Sequence, residues 1–229
     1  MNKIAIVTSV VGVSGFDMYT PKHANADYFL FTEQDCSFPG WTVRKLYPFS
    51  LDKKYENRRT AKIPKILTHQ LLPTYNYYIW HDYTNYVSLD PEKIISDYLK
   101  DSDFAFFNHP HRNCLYDEAI EVLRSRLDHN EKINMQIKYY TEMKVKEKNN
   151  FFEATTFVRR NNDVCNKVCT FWYEHMDKFS SRDQISLPAA LQEYSPKISI
   201  LPGNTSIYFG NNNIIPAFRD TLRMQGKVR

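Results

Sequence analysis

Apolar positions in this 229-residue chain fall into short runs, and between them the polar stretches carry apolar residues at helical spacing. The first run, IAIVTSVV over residues 4–11, reads as a buried strand. It is a poor secretory leader, because one basic residue precedes it and Thr8 and Ser9 interrupt its apolar core. DYFLFT at 27–32 and residues 42–46 predict the next two strands, with a Pro39-Gly40 turn between them. Tyr77-Tyr78-Ile79-Trp80, then residues 103–107, 151–159 and 197–201, complete the strand set. Residues 56–72 show a helical period through Ile63, Ile66, Leu67, Gln70 and Leu71, with Pro64 either in the first turn or at a kink. Further helices are predicted at 91–99, capped by Asp90 with Pro91 at its first position, and at 115–127, 131–145, 163–176 and 182–194. In 163–176 the inward face is Val164, Val168, Phe171 and Trp172. Strands alternating with helices predict a single layered α/β domain over residues 1–210, with a mostly parallel sheet. A polar, then basic tail follows at 211–229 and is expected to be a flap or disordered.

Composition narrows the functional classes. Aromatic residues make up 15% of the chain, enough to line a groove for sugars or bases as well as a core. A net charge of +4 suits an anionic small ligand and falls short of the footprint of a dedicated nucleic-acid binder. Cys36, Cys114, Cys165 and Cys169 form no zinc pattern, so reduced thiols and a cytoplasmic setting are expected. No run approaches the ~20 apolar residues of a membrane span.

The stretch 77–91 (YYIWHDYTNYVSLDP) holds the candidate chemistry. Asp82 stands where a buried strand ends, the place at which open α/β sheets bind ligands. It would serve equally as a turn cap. Gly12 to Gly15 forms the loop after the first strand, a position that often touches a nucleotide. Arg58, Arg59, Lys62 and Lys65 crowd the predicted helix 56–72. Such a group suits a diphosphate and also suits a solvated helix face.

An ordered set of motifs then becomes visible. Arg59-x-x-Lys62 leads to Pro73-x-Tyr75-x-Tyr77-x-Ile79-Trp80-x-Asp82 and Asp90-Pro91. His109-Pro110-x-Arg112-x-Cys114-x-Tyr116-x-Glu118, Phe171-Trp172, Arg182-Asp183-Gln184 with Ser186, and Leu201-Pro202-Gly203 follow. The set resembles the glycosyltransferase-like family first catalogued as a domain of unknown function, which has many bacterial members and a plant branch linked to cell-wall and mucilage polysaccharides. The resemblance runs from about residue 4 to residue 210.

That resemblance implies a GT-A-like (Rossmann-like) fold, a nucleotide-sugar donor, a glycan or other acceptor, and a divalent cation, Mn²⁺ or Mg²⁺. The cation would neutralise the leaving diphosphate. Where GT-A enzymes usually carry Asp-x-Asp, this chain reads Asp82-Tyr83-Thr84, so Asp82 is the metal candidate, with Asn204 or His109 completing the shell and Thr84 beside it. Asp183 is the acceptor-side candidate, a general base in an inverting reaction or an orienting group in a retaining one. Its alternative is a helix cap. Arg59 and Lys62 are expected on the diphosphate and Arg112 on a donor hydroxyl or phosphate. Arg182 and Gln184 would stand beside Asp183, and Glu118 on a helix flank. A GT-A domain that binds without turnover is the leading rival, and a nucleic-acid binder is disfavoured because no recognised motif is present.

Overall fold

The computed structural model describes residues 2–146 and 151–203. At its centre, strand β1 (Ile4–Val10) is buried along its whole length, which explains an apolar run broken only by the small polar Thr8 and Ser9. Around it, β2 (Asp27–Thr32), β3 (Trp41–Lys45), β4 (Tyr77–His81), β5 (Phe104–Asn108), β6 (Phe152–Arg160) and β7 (Ile198–Leu201) form one sheet in the order β3-β2-β1-β4-β6-β5-β7. All pairings are parallel except those of β6, which runs antiparallel to both β4 and β5. Since each is opposed to β6, β4 and β5 point the same way and end at the same sheet edge. The mixed, mostly parallel α/β expectation therefore holds.

Successive side chains alternate between the faces. Ala5, Val7, Tyr78, Trp80, Phe104 and Phe106 face one core, and Ile4, Ile6, Ile79, Ala105, Phe107 and Val158 the other. Helices α1 (Glu56–Ile66), α6 (Asp163–Lys178) and α7 (Asp183–Tyr194) cover the first face, and α3 (Pro91–Tyr98) covers the second. A short α2 (Thr68–Leu71) follows α1, while α4 (Leu115–Arg124) and α5 (Asn130–Glu142) build a third cluster against α7. Trp172 is fully buried against Phe157, worth roughly 1.5–3 kcal/mol by area alone.

Local signals explain the helix ends. Asp90 accepts the Lys93 N–H at 3.0 Å with Pro91 at N1, and Asn162 accepts from the Cys165 N–H at 2.9 Å. The predicted helix 56–72 is two helices. Pro64 lies in the last turns of α1, cannot donate to the preceding turn, and is followed by a break at Leu67. The expected tail at 211–229 and Asn204 lie outside the described residues.

Candidate active site

The ends of β1 and β4 and one face of α1 enclose a cleft of about 210 Å³. Ser9, Val10, Val11 and Val13 come from β1 and its loop, and Trp80, Asp82, Tyr83 and Thr84 from β4 and its loop. Gly12 lets the first loop seat on α1. Its φ is +73°, and a Cβ there would lie 1.9 Å from the Asn57 side-chain amide. Its N–H donates to Glu33 Oε1 at 2.8 Å.

Asp82 is positioned from three sides. Its N–H donates to the Thr155 carbonyl of β6 at 2.9 Å, and Trp80 Nε1–H donates to Oδ1 at 3.1 Å. His81 Nδ1 lies 3.0 Å from the Asp82 carbonyl, which can only accept, so Nδ1 carries the hydrogen and the Tyr19 hydroxyl donates to Nε2 at 3.0 Å. Burial holds His81 down at about 4, so it is neutral at pH 7. Thr84 Oγ1 donates to Asn85 Oδ1 at 3.0 Å.

Helical periodicity sorts the crowded cations of α1. Arg58, Ala61, Lys62 and Lys65, spaced i, i+3, i+4 and i+7, share one stripe. Arg58, Ala61 and Lys62 line the cleft. Arg58 lies over the Tyr55 ring and donates to the Leu127 carbonyl at 2.6 Å and to Ser181 Oγ at 3.3 Å. Lys62 and Lys65 reach Asp183 at 3.0 and 2.5 Å, with the Lys65 ammonium also over the Trp80 ring.

Asp183 lies at the first turn of α7, yet its side chain caps nothing. The N-cap is Arg182, without a side-chain bond, and the carboxylate turns to the two lysines. The Trp172 indole N–H fixes the Asp183 carbonyl at 2.7 Å, linking the Phe171-Trp172 and Arg182-Asp183-Gln184 motifs. Burial pushes the Asp183 carboxyl up, but the two ammoniums outweigh it and hold it well below the usual carboxylate range. Lys62 is lowered by its burial despite Asp183, whereas for Lys65 the carboxylates of Asp183 and Asp82 overcome burial and raise it.

Arg59 corrects the expectation of a diphosphate contact. One residue round from Arg58, it turns to the C-terminus of α6 and is 2% exposed. Its guanidinium donates to the carbonyls of Met176, Asp177 and Phe179 at 2.6, 3.0 and 2.8 Å, and to Asp52 at 3.3 Å. All its donor groups face structural acceptors.

The remaining predicted residues gather after β5. His109 Nδ1 accepts the backbone N–H groups of His111 and Arg112 at 3.2 and 3.0 Å, which organises the turn and occupies that lone pair. Burial, then Arg112, lowers its ring to about 4. It does not line the cleft beside Asp82, which removes its support as a metal ligand. Glu118, expected on a helix flank, is instead buried at 1% exposure and ion-paired to Arg112 at 2.5 Å and Arg182 at 3.5 Å. Gln184 Oε1 accepts from Arg182 at 3.5 Å.

Two other features compete for attention. A larger cavity of about 570 Å³ opens at the opposite sheet edge, where β1 and β4 begin; its Arg160 is engaged by backbone carbonyls, among them Ser102 at 2.9 Å. Asp52, Asp128 and His129 place ligand atoms within 4.8 Å of one another, unsuspected from their sequence positions. Their acceptor atoms already serve Lys132, Arg59 and His129 on Asp52, and Ser180 and Ser181 on Asp128.

A seven-stranded sheet reversed only at β6, with an ionic cleft where parallel β1 and β4 end, defines a GT-A-like glycosyltransferase fold. It superposes on the WbbM bifunctional glycosyltransferase, apo form, with a TM-score of 0.53 and 13% identity, over 88% of this chain and 39% of that one. Mouse xyloside xylosyltransferase 1, apo form, gives 0.45 and 7% over 87% and 84% of the two chains. The chain belongs to the TOD1/MUCI70, glycosyltransferase-like domain family, whose model matches residues 43–201. It is 26% identical over 152 residues to the probable hexosyltransferase MUCI70 of Arabidopsis thaliana, matching 62% of this chain and 26% of that relative. The chain thus spans about a quarter of that relative's length.

Proposed function

We propose that the protein transfers a sugar from a nucleotide-diphosphate donor to a glycan or related acceptor. The observation that carries this reading is the Lys62–Lys65–Asp183 ion cluster beside Asp82, at the carboxyl edge of the central strands. Breaking the donor's glycosidic bond builds charge on the departing diphosphate, and catalysis requires that charge to be matched in place. Lys62 offers an ammonium at the cleft wall, and Arg58 adds a guanidinium fixed by Leu127 and Ser181.

The donor set fits a Mn²⁺ or Mg²⁺ ion held sparingly. Asp82 gives Oδ1 to Trp80 and keeps Oδ2 for a ligand. It is the one carboxylate lining the cleft among the described residues. Such ions accept one or two carboxylates when phosphates complete the shell. When bound, the ion would supply Lewis-acid neutralisation of the diphosphate.

Asp183, paired with two ammoniums, is a weak proton acceptor. It is better suited to orient Lys62 and a sugar hydroxyl than to serve as a general base. Lys65, buried against Trp80, holds that carboxylate in place. The cytoplasmic setting belongs to the same proposal, and the four free thiols support it. No helix among the described residues is long and apolar enough to cross a membrane.

Donor hydrolysis and binding, measured with and without Mn²⁺ over a panel of nucleotide sugars, test this reading. Asp82→Asn is expected to fold and to lose the metal-dependent part of donor binding. An Asp82→Asn protein with wild-type Mn²⁺ dependence contradicts the assignment. A wild-type protein that retains a donor without ever releasing the nucleotide is a binding domain.

A further inference from the structure

Seven large apolar side chains stand exposed among the described residues, and three of them fall within five positions. Tyr47, Phe49 and Leu51 are 69%, 78% and 103% exposed, on the loop that joins β3 to α1. The other four, Leu71, Ile120, Met135 and Ile200, lie one to an element and are ordinary surface residues.

The loop holds these side chains outward. Its backbone is tied at several points: the Leu46 N–H donates to the Thr32 carbonyl at 3.0 Å, the Phe49 N–H to Thr60 Oγ1 at 2.9 Å and the Ser50 N–H to Glu56 Oε1 at 3.3 Å. Asp52 turns inward, to Arg59 at 3.3 Å and Lys132 at 3.1 Å. Phe49 and Leu51 rim a hollow of about 550 Å³ whose lining includes Asp52, Arg59 and Lys132. Folding the apolar groups into it would crowd them against paired charges, so that hollow is no refuge for them.

The charges of the loop are sorted by sign. Its two carboxylates face inward, Asp52 with 10% and Glu56 with 18% of the side chain exposed. Lys53 keeps 77% of its side chain in solvent although it pairs with Glu56, and Lys54 is exposed beside it, its ammonium over the Tyr55 ring. The outer side of the loop is therefore apolar, with cations directly behind it.

We propose that this loop seats the protein on an anionic lipid surface. Tyr47, Phe49 and Leu51 enter the boundary between headgroups and acyl chains, and Lys53 and Lys54 meet the lipid phosphates. Tyrosine suits that boundary because its ring is apolar and its hydroxyl stays wet. An aliphatic Leu51, the most exposed of the three, gives a sugar no flat face to stack on. Three side chains on one loop also fall short of the ~800 Å² per partner of a stable protein interface. Insertion into lipid needs only a few apolar groups and a basic flank. Helix α1 links the loop to the cleft, since Lys62 lies seven residues beyond Tyr55, ~10 Å along the helix. Docking thus holds the cleft close to the bilayer. The proposal does not depend on the transfer reading, because lipid binding is measured without a donor.

The test is co-sedimentation of the full chain with vesicles of phosphatidylcholine alone and of phosphatidylcholine mixed with phosphatidylglycerol. Wild type should bind the mixed vesicles, bind the neutral ones at least tenfold more weakly, and weaken as salt is raised. Tyr47→Ser/Phe49→Ser/Leu51→Ser should lose tenfold or more in vesicle affinity. Lys53→Gln/Lys54→Gln should lose about fivefold per lysine on the mixed vesicles and little on the neutral ones. Met135→Ser, which removes a lone exposed apolar group elsewhere, should bind like wild type. Phe49→Trp should show a blue-shifted gain of fluorescence on the mixed vesicles, which reports entry of that position into lipid. A wild type that ignores both kinds of vesicle overturns the proposal. So does binding that survives in the triple serine variant, or a Phe49→Trp signal that vesicles leave unchanged. A wild type that self-associates in buffer through this loop, and becomes monomeric in the triple variant, makes the patch a protein interface and overturns it as well.

Discussion

The cations of α1 show how differently one fold uses the same charge. Lys62 and Arg58 lie on a stripe that opens into the cleft, while Arg59 lies on the next stripe, against the C-terminus of α6. The carbonyls at a helix C-terminus have no partners in their own helix. Arg59 supplies three of them with donors, and its other nitrogen reaches Asp52. Lys62 has a carboxylate partner and an open side toward solvent. A cation whose donors are taken by backbone carbonyls and a structural carboxylate stabilises a fold; one that faces a cleft can receive a ligand.

Replacing Arg59 gives the largest expected effect. Arg59→Ala leaves buried carbonyls without donors and removes one partner of Asp52, a loss of roughly 3–5 kcal/mol. Chemical denaturation measures it. Protein that remains folded should bind nucleotide like wild type. A stable Arg59→Ala variant with weakened nucleotide binding would reverse the roles drawn for the two faces.

Asp183→Asn joins the two regions, and its cost should be comparable or somewhat smaller. Lys65, 1% exposed, would lose its carboxylate, and breaking a buried pair costs roughly 3–5 kcal/mol. Asn would have replaced a helix cap almost without loss, so the stability change itself discriminates. Adding Lys65→Met should restore much of the stability but not the transfer rate, expected to stay down by about 10²-fold. A melting temperature unchanged by Asp183→Asn alone contradicts the ion cluster.

The smallest effect is one of pH. Burial lowers His69, His81, His109 and His175 to about 4, against about 6.5 in an unfolded chain. Between those values the unfolded chain binds more protons, so stability is full above ~6.5 and falls as pH drops toward ~4. Asp183, held low by its lysines, stays charged through that window. Urea midpoints should therefore fall between pH 7.5 and pH 5 while nucleotide-sugar affinity of the folded protein holds. A parallel fall in affinity would place a titrating group in the cleft.

Much of this was legible from residues. Asp90-Pro91 announces the start of α3, and the largely apolar run at residues 4–11 announces a strand buried on both faces. The ordered motifs indicated the family, and Asp82 emerged from its place after Trp80. The reversal of β6 was hidden, because an apolar strand reads the same in either direction. Arg59 belongs to the motif Arg59-x-x-Lys62, but the helical period puts Arg58 and not Arg59 on the stripe of Lys62. Arg58, Lys62 and Lys65 do repeat at helical spacing, so that signal was available. The Arg112–Glu118–Arg182 cluster was not, since only the approach of α4 and α7 brings residues 118 and 182 together.

The account stands on Lys62 meeting a diphosphate, and isothermal titration tests that contact directly. Nucleoside diphosphate and plain nucleoside are each titrated into wild type and Lys62→Ala, with Mn²⁺ held constant. The account predicts that Lys62→Ala loses roughly 1.5–3 kcal/mol of affinity for the diphosphate and essentially none for the nucleoside. Equal losses for both ligands, or no loss for either, would contradict it.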